Sequence, residues 1–327
     1  MKNAKSSLIV LLLLCGANLL FARIGISLTI NRSLYMQYEH IYALVTLRNN
    51  SGRPLLFGTD PSLQGFLTLD VRDRSNRPVA KVSGQEISIT GVMLAPGETR
   101  NVVLPIDRYY QLQKPDRYRV TANISHNALG GEYRSKAQYF RISQGVEMWK
   151  RTVGLPDITG KAKAGDLIPE RTYSIHALSD NQRTCYYLKV SDQKYIYGVC
   201  LIGEAFGYER YQVEVDMLSR IHLLMPVAPR IYHYLAFSFD GKNIANSYWK
   251  TTSSIPTLHR DRKTGIVSRL GGAQAKPGRD FAAKKSNSIT ISDILQNERR
   301  NSPKAPGYSG LVDLGKGAVP EFDKDEK

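Results

Sequence analysis

The sequence predicts an all-β protein. Short runs that alternate apolar and polar residues recur from residue 24 to residue 271, as in Ile24 to Ile30 and Ile41 to Leu47. Clusters of Gly, Pro, Asn and Asp separate these runs at regular intervals. In the second half the connections shorten to a few residues, which is hairpin spacing.

Taken in chain order, the first segment reads as an export signal. Lys2 and Lys5 precede an uncharged stretch from Ser6 to Ala22, whose centre, Leu8 to Leu14, is wholly apolar. A basic start, a short apolar middle and a small residue before the next charge make residues 1–22 a secretory signal peptide. Cleavage fits after Ala22 or after Ala17. The rival is an anchor that stays in place, but a spanning helix needs about 20 apolar residues, and Gly16 and Asn18 interrupt this one. Lipidation at Cys15 is disfavoured because Leu13 and Leu14 stand where small residues belong. No later segment is apolar enough to span a bilayer, so an exported chain with no transmembrane segment after cleavage is expected, in the periplasm, at the cell surface or outside the cell.

The formal net charge of +16 is spread along the chain: +3 over residues 1–23, +6 over 24–145, +5 over 146–271 and +2 over 272–327. Basic residues run no longer than pairs, as at Lys284 and Lys285. A nucleic-acid binder concentrates charge in a stripe, so no nucleic-acid partner is expected. A diffuse excess gives solubility and loose attraction to anionic polymers or membranes.

Residues 23–145 carry about seven or eight strand-like runs at the spacing of a β-sandwich. Among them are Phe66 to Val71, Ile87 to Leu94, Val102 to Leu104, Tyr118 to Ile124 and Tyr133 to Ile142. Residues 146–170 hold Gly154, Pro156, Gly160, Gly165 and Pro169 with little periodicity and read as a linker, tacked to a neighbouring domain by Trp149 and Leu155. Residues 171–271 are β-rich and tyrosine-rich. Their short connections predict a β-meander, as a small barrel, a second sandwich or a fragment of propeller-like architecture. From residue 272 Gly, Pro, Lys, Ser and Asn dominate, so 272–327 is expected to be a disordered tail. Thr290 to Asp293 resembles a capping box, the start of a short helix over 292–299.

One stretch sharpens the first domain. Leu112 to Val120 places Pro115 and Asp116 in a turn before Tyr118, a pattern that resembles the tyrosine corner of Greek-key sandwiches. With Leu94 to Glu98, residues 23–145 resemble immunoglobulin-like modules of bacterial envelope proteins and are similar to sandwich domains of the α-macroglobulin kind. The resemblance implies a module that presents surfaces to partners or acts as a spacer.

Two constellations bear on chemistry. Cys185 and Cys200 are the cysteines beyond the leader, and a two-residue turn at Asp192 and Gln193 places them opposite each other on one hairpin. A disulfide is expected there; two half-buried free thiols or a redox-active pair are the alternatives. Around the loop Pro226 to Pro229, His222 faces His233, and a three-residue loop at Met217 to Ser219 pairs Glu214 with His222 and Asp216 with Arg220. Glu214, His222 and His233 have the ligand types for zinc or another divalent metal. A polar ladder on the wet face of a sheet has the same pattern without metal. No other cofactor is expected, and motifs for hydrolases, nucleotides or calcium are absent. Tyrosines of 171–271 either line a carbohydrate- or peptide-binding face or fill half-buried sheet positions.

The expected function is a non-enzymatic binding or structural protein of the envelope or extracellular space, with a protein or polysaccharide partner. A metal-dependent hydrolase at Glu214, His222 and His233 is one alternative. A protease-inhibitor or chaperone-like module acting by β-augmentation is the other.

Overall fold

The computed structural model describes residues 24–157, 168–180, 183–207 and 210–282. The leader over 1–22, the middle of the expected linker and the tail beyond 282, with its helix over 292–299, lie outside the described residues. The described chain is all-β.

The alternation in β3 (Tyr42–Asn49) buries Ala43, Val45, Leu47 and Asn49 and turns the residues between them outward. β3 pairs with β1 (Ile24–Ile30) on one side and β7 (Thr99–Pro105) on the other. The facing sheet runs β2 (Leu34–Met36), β10 (Gln138–Ser143), β8 (Arg117–His126), β5 (Gly65–Arg72), with β9 (Gly131–Arg134) paired to β8 off this path. β2 and β10 are parallel; the other pairs of this sheet are antiparallel. Val45 and Leu47 from one sheet meet Leu67, Leu69, Val120, Ala122 and Ile124 from the other in a single core. Each such Val, Leu or Ile side chain, removed from water, contributes roughly 1.5–3 kcal/mol. The Tyr118 hydroxyl donates to the Lys114 carbonyl at 2.7 Å, and burial pushes its phenol up to about 12.

The strand expected over Ile87 to Leu94 is shorter. The pairing residues are Met93–Leu94 (β6), opposite Leu55–Leu56 (β4). Gly91, at φ +84°, turns the chain before them, while Ile89 still reaches the core.

The second half opens earlier than its composition indicates. Val146–Gly154 forms β11, paired with β12 (Glu170–Ser179). A bulge between Glu147 and Trp149 breaks the alternation, and the strand turns Trp149 and Val153 inward, so its pattern resembles a linker. β13 (Thr184–Ser191) and β14 (Ile196–Glu204) complete a four-stranded meander. The second sheet is β15 (Gln212–Val215), β16 (Ile221–Ala228), β17 (Ile231–Phe237), β18 (Asn243–Lys250) and β21 (Ala273–Ala275). Tyr173, Ile175, Leu188 and Val190 of the first sheet pack on Val215, Ile221, Leu223 and Leu235 of the second. Both sheets are open, so of the expected architectures the sandwich is the one formed. Residues 273–275, placed in the tail by composition, are the edge strand β21; Lys250 and Asp280 (2.7 Å) and the rings of Tyr248 and Phe281 (5.0 Å) hold the segment after it. A hairpin of β19 (Thr257–Arg260) and β20 (Val267–Leu270) lies beside β15 and β16. Leu258 N–H donates to Gln212 Oε1 at 2.8 Å, and the Arg269 guanidinium lies 3.2 Å from the centre of the Trp249 ring.

Two residues, Gln144 and Gly145, join β10 to β11. Gly145 sits at φ +64°, where a Cβ would come within 2.8 Å of the Ala177 carbonyl oxygen, so glycine alone fits.

Candidate functional site

The β15–β16 connection is built on one carboxylate. Asp216 Oδ1 accepts from the backbone N–H of Leu218 and of Arg220, each at 2.9 Å. Asp and Asn favour such turns because the side chain replaces a backbone acceptor. Its Oδ2 accepts from Arg220 Nε at 2.6 Å and from His222 Nε2 at 3.2 Å. Ser219 adopts φ +56° at the corner. It is held there by its hydroxyl, which donates to the Gly154 carbonyl at 2.7 Å, and by the Tyr173 hydroxyl, which donates to the Ser219 carbonyl.

His222 is buried on the face of the second sheet away from the core. With the proton on Nε2 directed at Asp216, its Nδ1 accepts from the Tyr234 hydroxyl at 2.8 Å, with the two rings stacked. Burial lowers the imidazole pKa, against the bond to Asp216 that raises it, so His222 is neutral near pH 7. Burial pushes the Asp216 carboxyl up, but the bonds from Arg220 and His222 outweigh it and hold it below the ordinary value. The result is a closed Arg220–Asp216–His222–Tyr234 chain in which both ring nitrogens already have protein partners.

The structure brings Glu214 opposite His222 but does not bring His233 to them. β16 runs on to Ala228, and Pro229 and Arg230 make the turn, with Arg230 at φ +59°. His222 therefore faces Ala236, three residues beyond His233. An odd offset puts the two histidines on opposite faces of the sheet. His233 bonds Asn246 at 2.7 Å and stacks on Tyr248 at 4.3 Å. Among the described residues no group of three or more His, Cys, Asp or Glu side chains is arranged to hold a metal.

The cysteines are separated in the same way. The β13–β14 turn spans Asp192 to Tyr195, closed by Asp192 N–H to the Tyr195 carbonyl at 2.9 Å. Bulges at Tyr197 and Ile202 shift the register further. Cys185 pairs with Glu204 and Cys200 with Leu188, so the thiols lie on opposite faces and both are free. Cys200 packs on the inter-sheet core and Cys185 beside Met36, Leu178 and Tyr187. Burial pushes both thiols up, away from the reactive thiolate.

The tyrosines divide. Tyr173 and Tyr187 are fully buried fillers, whereas Tyr195 and Tyr197 stand exposed at the start of β14. Tyr197 is fixed by its hydroxyl bond to Asp192 at 2.5 Å and by the Arg171 guanidinium 3.4 Å from its ring centre. This Arg171–Asp192–Tyr197 corner escaped the sequence reading, since its members lie up to 26 residues apart and meet through sheet register.

No helix among the described residues is long and apolar enough to cross a membrane. No protein-family model matches the chain, and no curated protein matches it. Among solved structures, it is similar to the sporulation control protein Spo0M from Bacillus subtilis at 10% identity with a TM-score of 0.24, over 56% of this chain and 91% of that one.

Proposed function

We propose that the chain is an exported, non-enzymatic binding or structural protein of the cell envelope or extracellular space, and that its first sandwich is of the immunoglobulin-like kind. The export part rests on the leader read from residues 1–22. The likeness is supported by strand order: β1–β3–β7 follows A–B–E, and β5–β8–β10 follows C–F–G. Tyr118, at the start of the strand in the F position, makes the backbone bond expected of a tyrosine corner.

The observation that carries the binding reading is the edge strand β14. Its outer side pairs with no strand among the described residues, and Ile196, Tyr197 and Leu201 stand exposed along it with Tyr195 and Phe206 beside them. Its two bulges interrupt the ladder that a foreign strand would extend. The recognition elements are therefore its side chains, and aromatic anchors are the kind that carry binding energy. The test is capture of envelope protein or polysaccharide by the purified chain and by a Tyr195→Ser, Leu201→Ser double variant. Capture lost in the variant supports the reading; equal capture by both overturns it.

A second reading, β-augmentation on the first sandwich, is favoured by β1, a seven-residue edge without Pro or Lys. Ser27→Lys abolishes capture on this reading and leaves it intact on the β14 reading.

A further inference from the structure

Two turns of the second sandwich and the end of β11 meet at one end. Met217 N–H donates to the Gly265 carbonyl at 3.0 Å, which sets the β15–β16 turn against the tip of the β19–β20 hairpin. Arg260 Nε reaches across to the Val215 carbonyl at 3.0 Å. Ser219 bonds the Gly154 carbonyl, and a Cβ on Gly154 would stand 3.1 Å from Ile168, so the end of β11 and Ile168 join the same rim.

The rim carries large apolar side chains pointing into solvent: Met217 is 57% exposed, Leu218 41%, Ile266 50% and Ile168 68%. They are not loose ends. Asp216 ties the first turn, and Asp261 accepts from the N–H of Lys263 and Thr264 at 2.8 and 2.6 Å to tie the hairpin tip. Scattered single exposed residues are ordinary, but a rigid cluster of them rimmed by charge marks an interaction site.

The charge of the two turns is one-sided. Arg260, Arg262 and Lys263 are exposed around Ile266. The nearby carboxylates face inward, Asp216 onto Arg220 and His222 and Asp261 onto the backbone of its own turn. Glu170, opposite Gly154, and Asp157, three residues beyond Gly154, are both exposed and temper the positive field at that end of β11, so the contact centres on the two turns.

We propose that this rim docks the protein on an anionic phospholipid bilayer, with Met217, Leu218 and Ile266 entering the interface and Arg262 and Lys263 pairing with headgroups. Apolar tips gain by leaving water for the acyl boundary, and each cation near an anionic leaflet adds attraction that salt weakens. A polyanion would use the cations and leave the apolar tips idle, which separates the lipid reading from attraction to acidic polysaccharide. The proposal does not depend on what β14 binds.

The test is co-sedimentation of the full chain with phosphatidylcholine vesicles, with and without phosphatidylglycerol. Binding is expected to the anionic vesicles, falling as salt rises. Ile266→Asn and, independently, Met217→Asn are expected to weaken it about tenfold or more, from loss of apolar insertion with no change in charge. Arg262→Glu with Lys263→Glu is expected to weaken it similarly, and Phe66→Asp on the first sandwich to leave it unchanged. Thermal melts establish that each variant is folded, and two separate apolar variants keep the test valid should one misfold. Failure of the native chain to sediment with anionic vesicles overturns the proposal. So does native-like binding by both folded apolar variants, the result expected if charge alone were at work.

Discussion

Arg32 of the first sandwich donates from Nη1 to the hydroxyl of Tyr187 in the second at 2.7 Å, while its other terminal nitrogen pairs with Glu39. Glu39 in turn accepts from Met36 N–H at 3.0 Å, and Met36 packs with Leu178 and Tyr187. A charged pair is thus enclosed where the two sandwiches meet. With Gly145 allowing close approach in the two-residue connection between β10 and β11, it ties them together.

Removing Arg32 leaves the Glu39 carboxylate buried without its cation. Arg32→Met is expected to cost about 3 kcal/mol, the low end for breaking a buried pair, because the Arg32 side chain keeps 25% exposure against 9% for Glu39. Tyr187→Phe removes the hydroxyl that accepts from Arg32 and bonds Glu39, and is expected to cost about 1–2 kcal/mol. Urea unfolding of both variants checks this ordering.

Cys185 and Cys200 project from opposite faces of their hairpin. The expected outcome is two thiols titrating in the denatured, unreduced protein and none in rapid reaction while folded. Cys200→Ala is expected to cost about 1–2 kcal/mol, a small packing loss, rather than the 2–5 kcal/mol of a lost disulfide. Ellman titration and denaturant melts check both.

His222 is held neutral chiefly by burial. Its lowered folded pKa means that the unfolded chain binds the proton first. Its contribution to stability is therefore full above the ordinary value of 6.5 and falls as pH drops toward the folded pKa. A folded His222→Gln variant is expected to show a shallower stability loss below that pH than the native chain. Metal analysis of the purified protein is expected to give the same content with and without His222, since both nitrogens are engaged.

Asp192 has its pKa lowered from 3.8 to about 2, first by the Tyr197 hydroxyl bond, helped by the backbone N–H groups of Tyr195 and Lys194 and by Arg171. A depressed carboxyl contributes stability that is present above pH 3.8 and lost as pH falls toward about 2. Asp192→Asn is expected to flatten that acid limb, and Tyr197→Phe to flatten it partly. Thermal melts across the window measure the difference.

The all-β class and most strands of the two halves were legible in the sequence, because alternation and turn chemistry are local. Ala43, Val45 and Leu47 announce their shared face by spacing alone, and the turn before Tyr118 announces the strand that follows. Strands with few inward residues were not legible. β11 half-buries Trp149 and Val153 around a bulge, and β21 is three residues long, so neither has a period to read. The candidate site was half legible: Glu214 and His222 are adjacent strand positions, but the partner that holds His222 is Asp216, one strand end away.

What the sequence by itself determined is where chain segments extend and which residues each strand can turn to one side. What only the tertiary structure decided is register. A bulge or one extra turn residue shifts pairing by an odd number and moves a side chain to the other face. The choice among such shifts is made by packing between sheets, where Leu188 and Leu235 must reach one core. That packing separated His233 from His222 and Cys185 from Cys200, and drew Met217, Ile266 and Ile168 together at one rim.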